Sequence, residues 1–208
     1  FFDNRLTLNA GLFYYDYSDY QYYEYLPCRV GFTCGISGYA FQWANVPELS
    51  YKGFEVEILA MPVENLTVRL AYGFIDNEIE EYLFGAGEDY TGNTVTNIAD
   101  MDFSGMIRYD IHLGKLGVLS PQFEANYLGA LHPDTANVYP ELPGFWTFNA
   151  SLNYRDGNSG LGVRIFVDNI SDDVNFTRSF YPGAPSIGTD GVHVTKPLSY
   201  GVTVSYDF

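Results

Sequence analysis

Apolar and polar side chains alternate with a period of two along most of this 208-residue chain, most regularly in its last eleven residues. There Leu198, Tyr200, Val202, Val204, Tyr206 and Phe208 share one parity, while Ser199, Gly201, Thr203, Ser205 and Asp207 share the other. A strand sends the two sets to opposite faces, one suited to hydrocarbon and the other to water. A soluble sandwich alternates too, but its outer face is usually charged rather than built of Gly, Ser and Thr. Such a strand closed by an aromatic is the pattern of an outer-membrane barrel.

The same reading predicts about eight strands between Tyr-rich and Gly-rich connections. The first spans about Asn4 to Tyr22, with Leu6, Leu8, Ala10, Leu12 and Tyr14 on one parity. The second spans about Ala40 to Met61 and sets Phe54, Val56, Ile58 and Ala60 against Glu55 and Glu57. The third carries Leu66, Val68, Leu70, Tyr72 and Phe74; the fourth, Met101 to Leu113, opposes Phe103, Ile107 and Tyr109 to Asp102, Arg108 and Asp110. A fifth runs through Phe123, Ala125 and Tyr127, a sixth through Trp146, Phe148, Ala150, Leu152 and Tyr154, and a seventh through Leu161, Val163, Ile165 and Val167. The terminal stretch is the eighth. Connections at 62–65, 114–117 and 156–160 are short, whereas those after Tyr22, Glu80, Gly129 and Asp173 are long. Short periplasmic turns and longer extracellular loops alternate in this way in outer-membrane barrels, so the first strand starts, and Phe208 ends, on the periplasmic side. The charged parity, Arg69, Arg108 and Arg164 with Glu55, Glu57, Asp102, Asp110, Glu124 and Asp168, is expected to line the lumen, where neighbours pair across strands or are simply solvated.

Composition sharpens this picture. Nineteen Tyr, sixteen Phe and twenty-one Gly accompany only 17% charged residues. Tyrosine's apolar ring and wet hydroxyl suit membrane interfaces. The net charge of −16, with ten scattered Lys and Arg, argues against nucleic-acid binding. No apolar run is long enough for a transmembrane helix, so a bilayer is reached only through a closed barrel that satisfies every backbone group. The chain begins at Phe1 rather than Met and shows no signal peptide, which reads as a processed protein or as a piece of a longer one.

Three stretches carry a family resemblance. Ser50-Tyr-Lys-Gly-Phe-Glu-Val-Glu57 with Met61-Pro-Val-Glu-Asn-Leu-Thr-Val68, then Val167-Asp-Asn-Ile-Ser-Asp-Asp173, then Tyr200-Gly-Val-Thr-Val-Ser-Tyr-Asp-Phe208 follow one another in the order found in TonB-dependent outer-membrane receptors. The chain resembles the C-terminal part of that family's β-barrel, although Ile170 stands where the family usually has Leu, and Lys196-Pro-Leu198 replaces an Arg-rich approach to the last strand. The resemblance implies an all-β fold: an antiparallel meander of about eight long strands over residues 1–208, forming about the last third of a wall of about 22 strands around a plug. Plug and energy-coupling box have no counterpart here, so TonB would be contacted through a missing N-terminal part. Implied partners are outer-membrane lipid, the barrel-assembly machinery reading Tyr206 and Phe208, and a small-molecule ligand such as a ferric siderophore, cobalamin or a glycan. Two other readings stay open: a complete eight-strand barrel acting as adhesin or narrow pore, and a soluble carbohydrate-binding β-sandwich.

Candidate chemistry is sparse. His112, His132 and His193 are dispersed, and no nucleophile, base and acid share a catalytic spacing, so no enzyme and no cofactor are expected. The acidic pairs Glu80-Glu81, Glu88-Asp89 and Asp172-Asp173 match no calcium-loop spacing and read as solvated loop charge. Cys28 and Cys34 fit a short-loop disulfide in an oxidising compartment, with two free thiols as the alternative. The Tyr20-Gln-Tyr-Tyr-Glu-Tyr25 loop is the leading ligand candidate, through Tyr20, Tyr22, Tyr23 and Tyr25, with Phe41 and Trp43 on the loop's other side. Such rings serve either ligand stacking or an interfacial girdle.

Overall fold

The computed structural model describes residue 3 and residues 5–27, 39–84, 88–137, 139–180 and 191–208. Eight long strands among them make one antiparallel sheet in chain order: β1 (Leu6–Pro27), β2 (Tyr39–Ala60), β3 (Leu66–Glu81), β4 (Met101–Tyr109), β5 (Val118–Leu128), β6 (Phe145–Arg155), β7 (Leu161–Asp168) and β8 (Ser199–Tyr206). The short Ile111–His112 segment continues the line of β4 and pairs with β5. Among the described residues no helix is long and apolar enough to cross a membrane.

Register explains why this alternation builds a two-faced wall. Leu6, Ala60, Val68, Ile107, Phe123, Ala150, Val167 and Tyr200 lie side by side across all eight strands, a row without a polar member. Two residues further up, Leu8, Ile58, Leu70, Gly105, Ala125 and Phe148 continue the same face. The opposite face carries Asn9, Glu57, Ala71, Ser104, Asn126 and Thr147 in one row and Arg108, Gln122 and Ser151 in another. A one-residue slip would exchange the two faces, so the pattern fixes the register.

The apolar face is exposed rather than packed against a second layer: Leu12 is 89%, Tyr200 79% and Ile165 53% accessible. Total accessible area is 13248 Å², against about 9,700 Å² for a compact water-soluble monomer of this mass. The expected alternative of a soluble sandwich fails here, because that fold buries its apolar parity between two sheets. A complete eight-strand barrel is likewise not formed. β1 and β8 are the two ends of the sheet, and no pairing joins them among the described residues.

The three short turns lie at one end. At 61–65 Asn65 takes φ 66° and the Leu66 amide donates to the Val63 carbonyl at 3.2 Å. A 3₁₀ turn at Gly114–Leu116 leads to Gly117, with φ 107°. In the third, Asp156 Oδ2 accepts from the Ser159 amide and hydroxyl, each at 2.6 Å, and from the Asn158 amide at 3.0 Å. The described parts of the long connections after β3, β5 and β7 lie at the other end, as the spacing predicts.

Of the two outcomes expected for the charged parity, pairing across strands and simple solvation, the second holds for most of its members. Among the described residues Arg69, Arg164, Glu55, Glu57, Asp102 and Glu124 form no ion pair, and on that face Arg108 pairs with Asp110 of its own chain segment at 3.2 Å. The register is the reason: Leu59 and Met106 flank Arg69, and Asn153 and Thr203 flank Arg164. Two pairs do cross strands: Arg155 to Asp207 at 3.5 Å on the polar parity at the short-turn end, and Lys52 to Asp76 at 3.0 Å on the apolar parity, just beyond Phe54 and Phe74. The Lys52–Asp76 pair marks the level at which the apolar face stops being greasy.

Candidate functional site

Beyond the Lys52–Asp76 pair, β1, β2 and β3 continue upward and their inner face turns aromatic. The stretch read from sequence as a loop, Tyr20–Tyr25, is strand: β1 pairs with β2 as far as Pro27 opposite Tyr39. Polar residues such as Asp16, Ser18 and Asp19 resemble turn signals, yet here they decorate a ladder that outruns the apolar band.

On the inner face Phe13, Tyr15 and Tyr17 follow one another at centroid distances of 5.6 and 6.1 Å. Asp19, in the left-handed conformation at φ 54°, breaks the alternation. The break brings Tyr20 back to Tyr17, ring edge to ring face at 5.6 Å, and Tyr51 meets Tyr17 at 5.8 Å in the same manner. β2 makes the matching break around Pro47, so that Val46 and Leu49, three residues apart, enter one buried cluster with Tyr51, Ile79, Tyr82 and Tyr90. Phe13 lies over Gly53, where an added Cβ would stand 2.6 Å from Phe13 Cζ.

These rings, with Gly11, Glu55 and Ile75, line a cavity of about 480 Å³. Burial, with the Tyr20 hydroxyl beside it, pushes the Tyr51 phenol well above its ordinary value, so it stays a neutral hydrogen-bonding group.

Two loops brace the cluster. The segment returning from 88 to 100 bonds along upper β3, Ile75 N to Asp100 O and Ile79 N to Asn93 O, both at 2.9 Å. Asn77 Oδ1 accepts from the Val95 amide at 2.6 Å, and Val95, Ile98 and Ala136 pack against the cluster. Asn137, at φ 50°, ties the 129–144 loop to it: its Oδ1 accepts from the Thr94 amide at 2.9 Å, and its Nδ2 donates to the Thr94 carbonyl at 3.3 Å and the Asp134 carbonyl at 2.7 Å.

Of the residues singled out from sequence, Tyr20 joins this site. Trp43, opposite Tyr23 in the ladder, is 69% exposed. Tyr22, Tyr23, Tyr25 and Phe41 lie in β1 and β2, with side chains outside the described residues, as are Cys28 and Cys34. Tyr206 and Phe208 are exposed at the short-turn end, their rings 5.6 Å apart. Phe13, Tyr15, Tyr17 and Tyr51 complete the site without being among the sequence candidates, and the dense Phe13-Tyr-Tyr-Asp-Tyr17 run is the signal that marks three of them. Among the described residues no group of three His, Cys, Asp or Glu side chains converges.

The family profile described as TonB dependent receptor-like, beta-barrel matches residues 1–170. Solved structures agree in fold. The siderophore receptor PiuA from Acinetobacter baumannii superposes with a TM-score of 0.72 at 18% identity, over 99% of this chain and 26% of that one. The ferric yersiniabactin uptake receptor FyuA from Yersinia pestis gives 0.74 at 19% identity, over 99% and 28%. The ferripyoverdine receptor of the outer membrane of Pseudomonas aeruginosa gives 0.66 at 17%, over 99% and 25%. The chain thus spans about a quarter of the length of the structures it matches.

Proposed function

The chain belongs to the TonB-dependent receptor family, whose members are outer-membrane β-barrel transporters rather than enzymes, and on that premise we propose that it is the C-terminal part of one such receptor's wall. The whole receptor imports a scarce nutrient of the metal-chelate, cobalamin or glycan kind, driven by TonB through parts of the protein that this chain does not contain. The exposed apolar rows face acyl chains, and the polar face lines the lumen beside a plug. Exposed Tyr206, which ends β8, and Phe208 just beyond it present the assembly signal to the barrel-assembly machinery.

One observation carries the ligand-capture role: five aromatic rings converge on the inner face at the end that bears the long connections, braced by two interlocked loops. Rings held by packing present contact area at small entropic cost, which suits capture of a bulky ligand before transport. Relatives with this fold include receptors named for siderophores, which makes a ferric chelate the first ligand to try.

The test is uptake by cells carrying the full-length receptor as their sole such transporter, under iron limitation and across a panel of labelled ferric chelates, cobalamin and oligosaccharides. Accumulation of one ligand that vanishes without TonB, and falls at least about tenfold for Tyr17→Ala at equal surface abundance, is expected. Unchanged uptake in the variant would remove the capture role from these rings.

A further inference from the structure

Below the aromatic rungs the inner face opens into a recess with an unusual floor. Glu55 stands between two glycines, Gly11 on β1 and Gly73 on β3, in one cross-strand row. A Cβ built on either glycine would meet nothing within 4 Å. Glycine in a strand interior weakens the strand and commonly marks a close approach by a ligand or another backbone. No steric need within the described wall accounts for these two, in contrast to Gly53 beneath Phe13. The same row continues to Asp102 on β4.

Charge along this face is segregated by height. Above the Arg69 row the sheet's described inner face carries Glu57, Glu55 and Asp102 and no basic side chain. The Arg69 row itself mixes signs, with Glu124 two strands away. Below it stand Arg108, Arg164 and Arg155, answered there by Asp110 on Arg108 and by Asp207 on Arg155. A ligand leaving the aromatic rungs for the lumen therefore meets three carboxylates without ion-pair partners before it meets a guanidinium. A polyanion would be repelled at that step, whereas a cation is drawn from ring faces to carboxylate.

We propose that this recess, floored by Glu55 between Gly11 and Gly73 and walled by Phe13, Tyr15, Tyr17 and Tyr51, receives an organic cation, the substituted ammonium group of the transported ligand. The rings supply negative π faces and Glu55 the counter-charge, while the absent glycine side chains let the group reach the strand backbone. The inference rests on the capture role of the aromatic cavity.

The test uses the full-length receptor in nanodiscs at low salt, titrated calorimetrically with choline, with its uncharged carbon isostere 3,3-dimethylbutan-1-ol, and with citrate as the anionic probe. Choline is expected to bind at least about tenfold more tightly than the isostere, and citrate not at all. Glu55→Gln should erase most of that preference. Gly11→Ala, which meets no neighbour and so leaves the fold intact, should weaken choline binding several-fold by filling the recess. Equal binding of choline and isostere, or preferential binding of citrate, overturns the proposal. So does an absence of saturable choline binding, the result expected if another segment of the receptor's own chain fills the recess. The Tyr17→Ala uptake defect decides the capture role separately: if it persists while choline shows no preference, the cation assignment alone falls.

Discussion

Single residues in this wall are set by what lies across the strand. Gly53 is required by contact, since a Cβ there would strike the Phe74 carbonyl oxygen and stand 2.6 Å from Phe13 Cζ. Gly53→Ala should therefore cost about 1–3 kcal/mol through overpacking, read as a lower urea midpoint of the receptor refolded in lipid vesicles. Gly11→Ala and Gly73→Ala, with open space around the new methyl, should leave that midpoint within error. Asp156 makes a second residue-scale case. Hydrogen bonds from the Ser159 hydroxyl and amide, then the Asn158 amide, hold its carboxyl down at about 2, below the ordinary 3.8 of an aspartate. A depressed folded value contributes stability above the unfolded value and loses it as pH falls through the folded one. The midpoint difference between the wild-type receptor and Asp156→Ala should thus be constant from pH 7 to about 4 and close between pH 4 and 2. A difference that persists at pH 2 would assign the effect of the substitution to something other than this carboxylate.

At the scale of the strand, parity decides what a substitution costs. Ile58 sits mid-band on the apolar face with Leu8 and Leu70 beside it, whereas Phe54 sits at the upper margin, one step below the Lys52–Asp76 pair. Lysine at a lipid-facing midplane position costs about 2–4 kcal/mol and near the interface about 0–1. Ile58→Lys should accordingly lower the unfolding midpoint far more than Phe54→Lys, and equal effects would contradict the depth assigned to the band. This parity was legible in sequence because a period of two needs only local information, and the three short turns were legible from Pro62, Gly114, Gly117 and Asp156-Gly157. The upper strands were not. The ladder above Asp16 is held by backbone pairing and by loop residues distant in sequence, such as Val95 and Asn137, so turn-like side chains there hide a strand. Asn137 illustrates the hidden part: four bonds of its side chain tie it to Thr94 and Asp134, and no local pattern announces them. Asn137→Ala leaves the Thr94 amide without that acceptor, at about 1–3 kcal/mol of local stability. Amide exchange at Thr94 and Val95 should quicken while strands β4 to β7 stay protected.

For the whole molecule the governing fact is that the sheet has two ends. Among the described residues no strand pairs with the outer edge of β1 or with that of β8, and the apolar rows run up to both edges. In hydrocarbon each N–H or C=O group of such an edge costs several kcal/mol unless another strand meets it, a penalty that a row of them along β8 makes far larger than any stabilisation the eight strands share. The apolar face cannot be hidden by folding over either, because little of the wall is buried within itself: its buried apolar cluster is confined to the tops of β1 to β3 and their bracing loops. Residues 1–208 expressed alone are therefore expected to aggregate or pair edge to edge rather than give a monomer. The receptor containing them, folded in the same detergent, should give one heat-modifiable band on gel electrophoresis. A heat-modifiable monomer from residues 1–208 alone would mean that β1 and β8 close on each other, and the capture cavity would then open into the narrow, side-chain-filled interior of an eight-strand barrel.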